Sequence, residues 1–319
     1  MVPPAPGPGK KKHQDAVPAL FSRDEAVAIR TVEFFAVTIH NQHTRKAYAR
    51  AVAAFNAWCM AFGISDVRQV QHMHVAAYVE GLQLAATSIK QHLAALRMLF
   101  DWLVLGQVLP ANPANSVRAP RLSVEEGKTP VLSPEEVRSL LNAIDTSTTI
   151  GLRDRALIGL MVYTFARVGT VLQMRVEDVC VQDGRSWVRL REKEGREHAI
   201  PCHHNLETWL HAYLDGLQLK DGKSSLFRTI AGRTGQLSER VMAQADVFRM
   251  IGRRAIAAGI RTRIGCHTFR ASGITEYLHN GGKLQVAQAM AAHASARTTG
   301  LYDRRGYEVS LNELELIAI

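Results

Sequence analysis

Apolar residues recur at three- and four-residue spacing through the first third of the chain, which is typical of amphipathic helices. The clearest helix follows Thr44, a residue suited to capping, and ends at Gly63. Its apolar stripe consists of Tyr48, Val52, Phe55 and Trp58. Two further helices are predicted at 74–84 and 87–102. Residues 22–111 are therefore expected to form a small helical bundle.

The rest of the chain combines helical and strand patterns. Ser133 and Pro134, followed by two glutamates, provide a cap, a first-turn proline and acids at the positive end of a helix. A second helix is expected from 152 to about 172, and residues 179–201 alternate around a charged turn as in a β-hairpin. Further helices are predicted at 204–217, 242–258 and from His267 onward. The predicted fold class is mainly α with a small β-sheet, an α+β catalytic domain behind a helical bundle.

The chain is long enough for two domains, because its 319 residues exceed the usual size of one. Prolines, glycines and a run of lysines predict a disordered tail over 1–21. The helical domain at 22–111 is followed by a linker at 112–128, which two prolines and small polar residues make extended. The second domain is expected to occupy 129–319.

The charge balance points to a polyanionic partner. A formal net charge of +10 is more than solubility requires, which suits DNA. A ribosome-associated or membrane-associated protein would be similarly basic, so charge alone does not choose among them. No apolar run approaches the ~20 residues that would span a bilayer. The N-terminus has no signal-peptide core, so the protein is expected in the cytoplasm.

The cysteines and acids give no sign of a metal or cofactor. The four cysteines are scattered without a CxxC pair, which argues against a zinc site or a disulfide framework. They are Cys59, Cys180, Cys202 and Cys266. We see no acidic cluster that would hold Mg²⁺ and no glycine-rich phosphate loop. No cofactor and no metal are therefore expected.

The last sixty residues carry the candidate chemistry. His267 and Arg270 are three apart, so on a helix they share one face and can point at one anion. Arginine suits a phosphodiester because its planar fork donates two parallel hydrogen bonds and keeps its charge. Tyr302 follows, and a tyrosine hydroxyl can form a covalent ester. Taken singly, each has a plainer explanation: a solvated helix face for the pair, packing for the tyrosine.

Three more groups turn these residues into an ordered set. Arg167 directly follows a long apolar run, so buried neighbours would anchor it. Lys193 lies at the tip of the predicted hairpin, where a lysine is usually just solvent-exposed. His293 lies between Arg270 and Tyr302. In chain order the set reads Arg167, Lys193, His267, Arg270, His293 and Tyr302.

This set resembles the tyrosine recombinase (phage integrase) family in order and approximate spacing. Further similarity lies in the hairpin end at 199–201 and in the segment from Ala292 to Thr299 before the tyrosine. The resemblance covers roughly residues 22–317. Two positions depart from the family pattern. Thr170 stands where an acidic residue commonly follows the first arginine, and Phe165–Ala166 replaces a glycine-containing pair.

The resemblance implies a site-specific DNA recombinase with a metal-free mechanism. Tyr302 would attack the scissile phosphate and form a 3′-phosphotyrosyl bond, which conserves bond energy without ATP. Arg167 and Arg270 would stabilise charge on the phosphate oxygens. Lys193 would act as the general acid for the 5′-oxygen. A neutral His267 would assist removal of the tyrosine proton, and His293 would donate to a phosphate oxygen.

The resemblance also implies partners. These are double-stranded DNA with an inverted-repeat site, a homotetramer assembled on two such sites, accessory proteins, and a location at the nucleoid. Candidate DNA contacts are Arg45, Lys46, Lys90, Gln91, Arg118 and Arg121. The apolar tail at 309–319 would dock on a neighbouring protomer, as family precedent suggests, or cover its own domain.

Two alternatives remain beside recombination. A non-catalytic DNA-binding or regulatory protein on the same fold would be favoured if a site residue were missing, and none is missing. A relaxing enzyme akin to type IB topoisomerases would use the same chemistry. The separate helical domain and the apolar tail favour recombination.

Overall fold

The computed structural model describes residues 17–121, 127, 129–192 and 196–303. The chain divides into two compact units, Met1–Ser123 and Val124–Ile319. The described residues are mainly helical with two small antiparallel sheets, as the pattern predicted. None of the described helices is both long enough and apolar enough to span a bilayer.

The first unit is a bundle of four α-helices. They are α1 (Glu25–Glu33), α2 (Gln42–Ala61), α3 (His72–Gly81) and α4 (Ala86–Leu105). A π-helical stretch, Phe34–Thr38, continues α1. Asn41 caps α2, because its side chain accepts hydrogen bonds from the backbone N–H groups of His43 and Thr44. The expectation that Thr44 is the cap was therefore wrong: α2 begins before it. Gly63, at φ +74°, follows the end of the helix as predicted.

Aromatic side chains form the centre of this bundle. The Phe55 ring meets Tyr78 edge to face at 5.0 Å and Phe100 at 6.0 Å between centroids. Leu20 and Phe21 are buried in the same core, and the Leu20 N–H donates to Asn56 Oδ1 at 2.8 Å. The predicted disordered tail at 1–21 is thus wrong at its end, because these apolar side chains find a core to fill. Residues 1–16 lie outside the described residues.

The start of the predicted linker also belongs to the first unit. Ala114 and Val117 are buried in its core. Arg97 of α4 donates from Nε to the Ala114 carbonyl at 3.2 Å, and a second guanidinium nitrogen donates to the Val117 carbonyl. The expectation of an extended linker from 112 onward was therefore wrong for its first residues, because α4 supplies donors for their carbonyls.

The second unit combines eight described α-helices with two small sheets. The helices are α5 (Pro134–Asn142), α6 (Thr149–Tyr163), α7 (Val168–Gln173), α8 (His204–Gly216), α9 (Gln244–Ala257), α10 (Cys266–His279), α11 (Leu284–Met290) and α12 (Ala296–Gly300). Ser133 caps α5 as the sequence predicts, and the Glu136 side chain completes a reciprocal cap by accepting from the Ser133 backbone N–H. The described core of this unit is built mainly from α5, α6, α8, α9 and the first sheet.

The predicted hairpin is part of a three-stranded antiparallel sheet. Its strands are β1 (Val179–Gln182), β2 (Arg185–Arg191) and β3 (Glu197–Pro201), in the order β1-β2-β3. Val188 pairs with Ile200 in the register of β2 and β3. A second sheet, β4 (Arg228–Ile230) with β5 (Leu237–Val241), was not predicted.

The helix expected from 152 to about 172 is broken into α6 and α7. Phe165 adopts a left-handed backbone, with φ +56°. Its ring is buried in a cluster with Ile274 and Leu278 of α10. Burial of the ring stabilises the break despite the strained backbone. The expectation of one continuous helix was wrong, and the break places Arg167 at the start of α7.

Candidate active site

Arg270 lies at the centre of the site and is fully buried on α10. Its Nη1 donates to the carbonyl of Phe165, and Nη2 donates to the carbonyl of Ala291 at 2.6 Å. One arginine thus joins α10 to the break before Arg167 and to the end of α11. Its Nε is buried without a hydrogen-bond partner among the described residues, so a donor remains available to an anion.

Tyr302 lies beside both candidate histidines. Its hydroxyl is 3.0 Å from Nε2 of His267. Its ring stacks on that of His293, with centroids 5.9 Å apart and planes 6° from parallel. The Thr275 hydroxyl donates to the Tyr302 carbonyl at 3.0 Å. The tyrosine is 7% exposed, so its ring and backbone are held while the hydroxyl faces the histidine.

His293 is itself anchored by a neighbouring hydroxyl. Its Nδ1 lies 2.9 Å from Oγ1 of Thr299, and both residues are buried. The backbone N–H of His293 donates to the Gln288 carbonyl at 3.1 Å, which fixes the turn after α11. Because Nδ1 is occupied by Thr299, the other ring nitrogen is the one available to a ligand.

Arg167 is paired with an acid that the sequence did not single out. Its Nη1 donates to Oε2 of Glu192 at 2.8 Å. The Arg167 side chain is 35% exposed, whereas that of Glu192 is 4% exposed. The two residues are 25 positions apart and on different elements, so no local spacing could have indicated the pair.

Burial and the neighbouring cations keep both histidines neutral. Burial, and then the charges of Arg270 and Arg167, lower the pKa of His267 below its usual range. The same causes, with a contribution from His267, lower the pKa of His293 to about 4. Burial and the charge of Arg167 lower the pKa of Arg270 to about 10, which still leaves it charged at neutral pH. A phosphate group would relieve the repulsion within this cluster.

The structure brings together five of the six predicted catalytic residues. Arg167, His267, Arg270, His293 and Tyr302 are connected by hydrogen bonds, ring contacts or mutual effects on pKa. Lys193 lies outside the described residues. Among the residues that the structure describes, no group of three or more His, Cys, Asp or Glu side chains is placed to hold a metal ion.

The six candidate DNA contacts all belong to the first unit, away from this cluster in the chain. Arg45 is partly committed, because Nε and Nη2 donate to the Ile39 carbonyl at 3.0 and 2.7 Å. Lys90 is half-buried. The remaining four side chains are exposed: Lys46, Gln91, Arg118 and Arg121.

Two family models match the chain. The phage integrase family matches residues 130–308, more than half of the chain, and the phage integrase N-terminal SAM-like domain matches residues 35–107. A similar protein is the tyrosine recombinase XerD of Chlorobaculum tepidum, 29% identical over 275 residues, which are 82% of this chain and 85% of that protein.

Two solved structures show the same fold. The XerH recombinase in a post-cleavage complex with palindromic difH DNA has a TM-score of 0.67 and 18% identity, with 95% of this chain and 90% of that one covered. A lambda integrase tetramer bound to a Holliday junction has a TM-score of 0.67 and 20% identity, with 88% and 77% covered. The chain therefore belongs to the phage integrase family, the tyrosine recombinases that break and rejoin DNA at specific sites.

Proposed function

We propose that this recombinase cleaves DNA by attack of Tyr302 on the scissile phosphorus. The observation that carries the proposal is the 3.0 Å distance between the Tyr302 hydroxyl and Nε2 of His267, beside the buried Arg270. A tyrosine placed for packing alone would not need a neutral imidazole at its hydroxyl and a guanidinium next to it. The arrangement instead matches a nucleophile, a proton acceptor and an anion site.

The proposed reaction exchanges one phosphodiester for another. The Tyr302 oxygen forms a bond to phosphorus as the bond to the 5′-oxygen breaks, which leaves a 3′-phosphotyrosyl link and a free 5′-hydroxyl. His267, neutral because burial lowers its pKa, accepts the phenolic proton. Arg167 and Arg270 neutralise the charge that grows on the nonbridging oxygens. His293 donates from its free ring nitrogen to one of those oxygens. Rejoining reverses these steps with a 5′-hydroxyl from another strand.

Lys193 is the proposed general acid. The leaving 5′-oxygen needs a proton, and Lys193 is contributed by the segment between β2 and β3. Replacement of that oxygen by sulfur gives a leaving group that needs no proton. Lys193→Ala should therefore cleave the sulfur substrate at near the wild-type rate but fail on the normal one. Arg167→Ala should fail on both; a Lys193→Ala protein that fails on both would move the acid role to Arg191 or Arg196.

The proposed substrate is double-stranded DNA that carries an inverted-repeat site, bound at the nucleoid in the cytoplasm. The net charge of +10 supports a polyanionic ligand. Exposed basic residues of the first unit, Lys46, Arg118 and Arg121 among them, would contact phosphates rather than base edges. Arg45, Lys90 and Gln91 complete the proposed set, Arg45 with part of its guanidinium committed to Ile39. Accessory proteins are further proposed partners.

We also propose that four protomers act together on two sites. The lambda integrase neighbour is a tetramer on a Holliday junction, which supports this assembly. The second unit carries a groove of about 1170 Å³, partly lined by Val162, Phe165, Tyr277 and Met290. The segment 309–319 is apolar and lies outside the described residues. We propose that each protomer places this segment in the groove of the next one, which closes a ring.

A nicked suicide substrate tests the catalytic proposal. The fragment beyond the nick diffuses away after cleavage, so a covalent protein–DNA adduct should accumulate. Tyr302→Phe should abolish the adduct and keep DNA binding within a few-fold of wild type. Tyr307→Phe is the matched control, because Tyr307 is the next tyrosine along the chain. Tight binding with no adduct from the wild-type protein would instead indicate a non-catalytic DNA-binding protein.

A further inference from the structure

Arg167 lacks the acidic neighbour that its own helix would ordinarily supply. The residue three positions later is Thr170, a buried hydroxyl that carries no charge. A cationic side chain that must hold one position against a phosphate needs a fixed partner, since Arg has several rotatable bonds to immobilise. The described residues supply such a partner from another part of the fold.

That partner is Glu192, at the end of β2. Its carboxylate is almost fully buried and its Oε2 accepts from Arg167 Nη1 at 2.8 Å. A buried carboxylate without a cation would be costly, so the pair is strongly favoured over either residue alone. The other carboxylate oxygen, Oε1, has no hydrogen-bond partner among the described residues. The contact is single rather than bidentate, so Nε and Nη2 of Arg167 make no hydrogen bond within the described residues and can face a phosphate.

Glu192 also acts on the rest of the cluster. Its charge raises the pKa of Arg270, which opposes the lowering by burial and by Arg167. The two arginines would otherwise repel each other in a buried site before DNA arrives. The Glu192 carboxylate, in contact with Arg167, therefore offsets part of the repulsion between the two arginines. The removal of that carboxylate should weaken the cluster as an anion site.

The backbone of Glu192, whose side chain contacts Arg167, also makes a hydrogen bond between the β2 and β3 sides of the hairpin. Its N–H donates to the carbonyl of Arg196, four positions later in the chain, at 2.8 Å. The segment that contributes Lys193 is thus flanked by a residue whose side chain holds Arg167.

We propose that Glu192 is the positioning residue for Arg167, in place of an acid at position 170. The inference rests on the proposed function, since it assigns Arg167 to the scissile phosphate. Glu192 contacts Arg167 and not the reacting atoms, so it acts through the arginine. Its contribution should therefore depend on the charge of the phosphate that Arg167 neutralises.

A double-mutant cycle on two substrates tests this. On a normal suicide substrate, Arg167→Ala should lose about 10²–10³-fold in the single-turnover cleavage rate, the loss typical of one oxyanion donor. Glu192→Ala should lose about 10²-fold, as expected for a displaced catalytic group. The double variant should be no slower than Arg167→Ala alone. On a methylphosphonate at the scissile position, which is uncharged, both losses should shrink together.

Controls separate positioning from folding. Glu197→Ala removes an exposed acid of the same hairpin, paired with Arg191, and should leave the rate unchanged. Glu192→Gln keeps an acceptor for Arg167 without the charge, so it should fall between wild type and Glu192→Ala. If Glu192 only stabilises the fold, Glu192→Ala should lose the same cleavage rate on both substrates, and this loss should add to that of Arg167→Ala. That result would overturn the proposal.

The most specific test asks whether an acid at position 170 restores the cleavage rate of the Glu192→Ala variant. Thr170→Glu in the Glu192→Ala background places an acid in the first turn of α7, a favourable place for a negative charge. About 10-fold of the lost rate should return, whereas Thr170→Glu alone should not exceed wild type. Thr170→Asp offers a smaller acid if melting curves show that glutamate is not accommodated.

The outcomes distinguish this proposal from the proposed function. Normal adduct formation by Glu192→Ala would refute the positioning role and leave Tyr302 as the nucleophile. Absence of any wild-type adduct would refute the catalytic assignment. In that case the NMR signal of the Arg167 guanidinium still reports on its contact with Glu192. Glu192→Gln should shift this signal in the protein without DNA. An unchanged signal would show that the contact does not form.

Discussion

The hydroxyl of Tyr302 lies 3.0 Å from Nε2 of His267. Burial and two nearby arginines lower the pKa of His267, so the imidazole is neutral and can accept a proton. The proposed nucleophile and its proposed proton acceptor are therefore in contact. A contact of this kind places the two groups in the geometry that the proposed proton transfer requires.

Replacement of His267 should slow cleavage without weakening DNA binding. His267→Ala removes the acceptor, and a positioned general base typically contributes about 10²–10⁴-fold. His267→Gln keeps a hydrogen-bonding group near the Tyr302 hydroxyl but cannot take up the proton, so it should be nearly as slow. Single-turnover adduct formation on a nicked substrate measures both rates. A His267→Gln protein as fast as wild type would show that the contact is positional and not basic.

The buried His293 should make the DNA-free protein sensitive to acid. Its pKa in the folded chain is about 4, below the value of 6.5 for an unperturbed histidine. The unfolded chain therefore binds this proton first as the pH falls. The stabilisation is complete above pH 6.5 and is lost as the pH falls from 6.5 towards 4, with His267 acting in the same direction.

Urea unfolding between pH 7.5 and about 4.5 measures this effect. The loss of unfolding free energy attributable to His293 should reach roughly 2–3 kcal/mol at the acid end of the range. His293→Gln cannot be protonated, so its stability should change less over the same interval. His279→Gln is the control, since His279 is exposed at the end of α10. Equal pH dependence of wild type and His293→Gln would contradict the assignment.

At position 165, we expect a glycine variant to be more stable than an alanine variant, the reverse of the usual order. The residue has φ +56° and a buried ring. Phe165→Ala loses the ring contacts and keeps the left-handed backbone, at a cost of about 3–5 kcal/mol. Phe165→Gly loses the same contacts but relieves the backbone, so it should be more stable than the alanine variant by about 1 kcal/mol. Urea unfolding compares the two; a less stable glycine variant would show that the backbone is unstrained.

Several features of this fold could be predicted from the sequence because residues close together in the chain determine them. The cap at Ser133 and Glu136 lies within four residues, and alternation in β2 marks the strand directly. The order of the site residues was likewise visible in the chain. The second sheet escaped prediction because β4 has only three residues, too few to show alternation.

Other features depended on distant parts of the chain. The break at Phe165 arises where a ring is buried against α10, about a hundred residues later. Local periodicity alone favoured a continuous helix there. The pairing of Arg167 with Glu192 likewise joins α7 to the end of β2. Tertiary contacts thus decided the geometry of the cluster around Tyr302, whereas its candidate residues were named from their order in the chain.

Truncation before Val309 should separate DNA binding from assembly. The segment 309–319 contains seven apolar residues and two glutamates, too apolar to remain in water and too short to fold alone. If each protomer hands this segment to its neighbour, the truncated protein should bind a single half-site within a few-fold of wild type. It should lose cooperative binding to the full inverted repeat, and the ratio of cleaved strands should change.

The matched control keeps the length of the segment and removes its apolar character. Leu311, Leu314 and Leu316 are replaced together by serine in the full chain, which should reproduce the truncation if apolar contacts carry the docking. Gel-shift titration on half-sites and full sites measures cooperativity, and thermal melting of the DNA-free protein reports on cis packing. Because trans docking buries the segment only in the assembly, the melting temperature at low protein concentration should not change. A truncated monomer that melts earlier or aggregates would show that the segment covers its own domain.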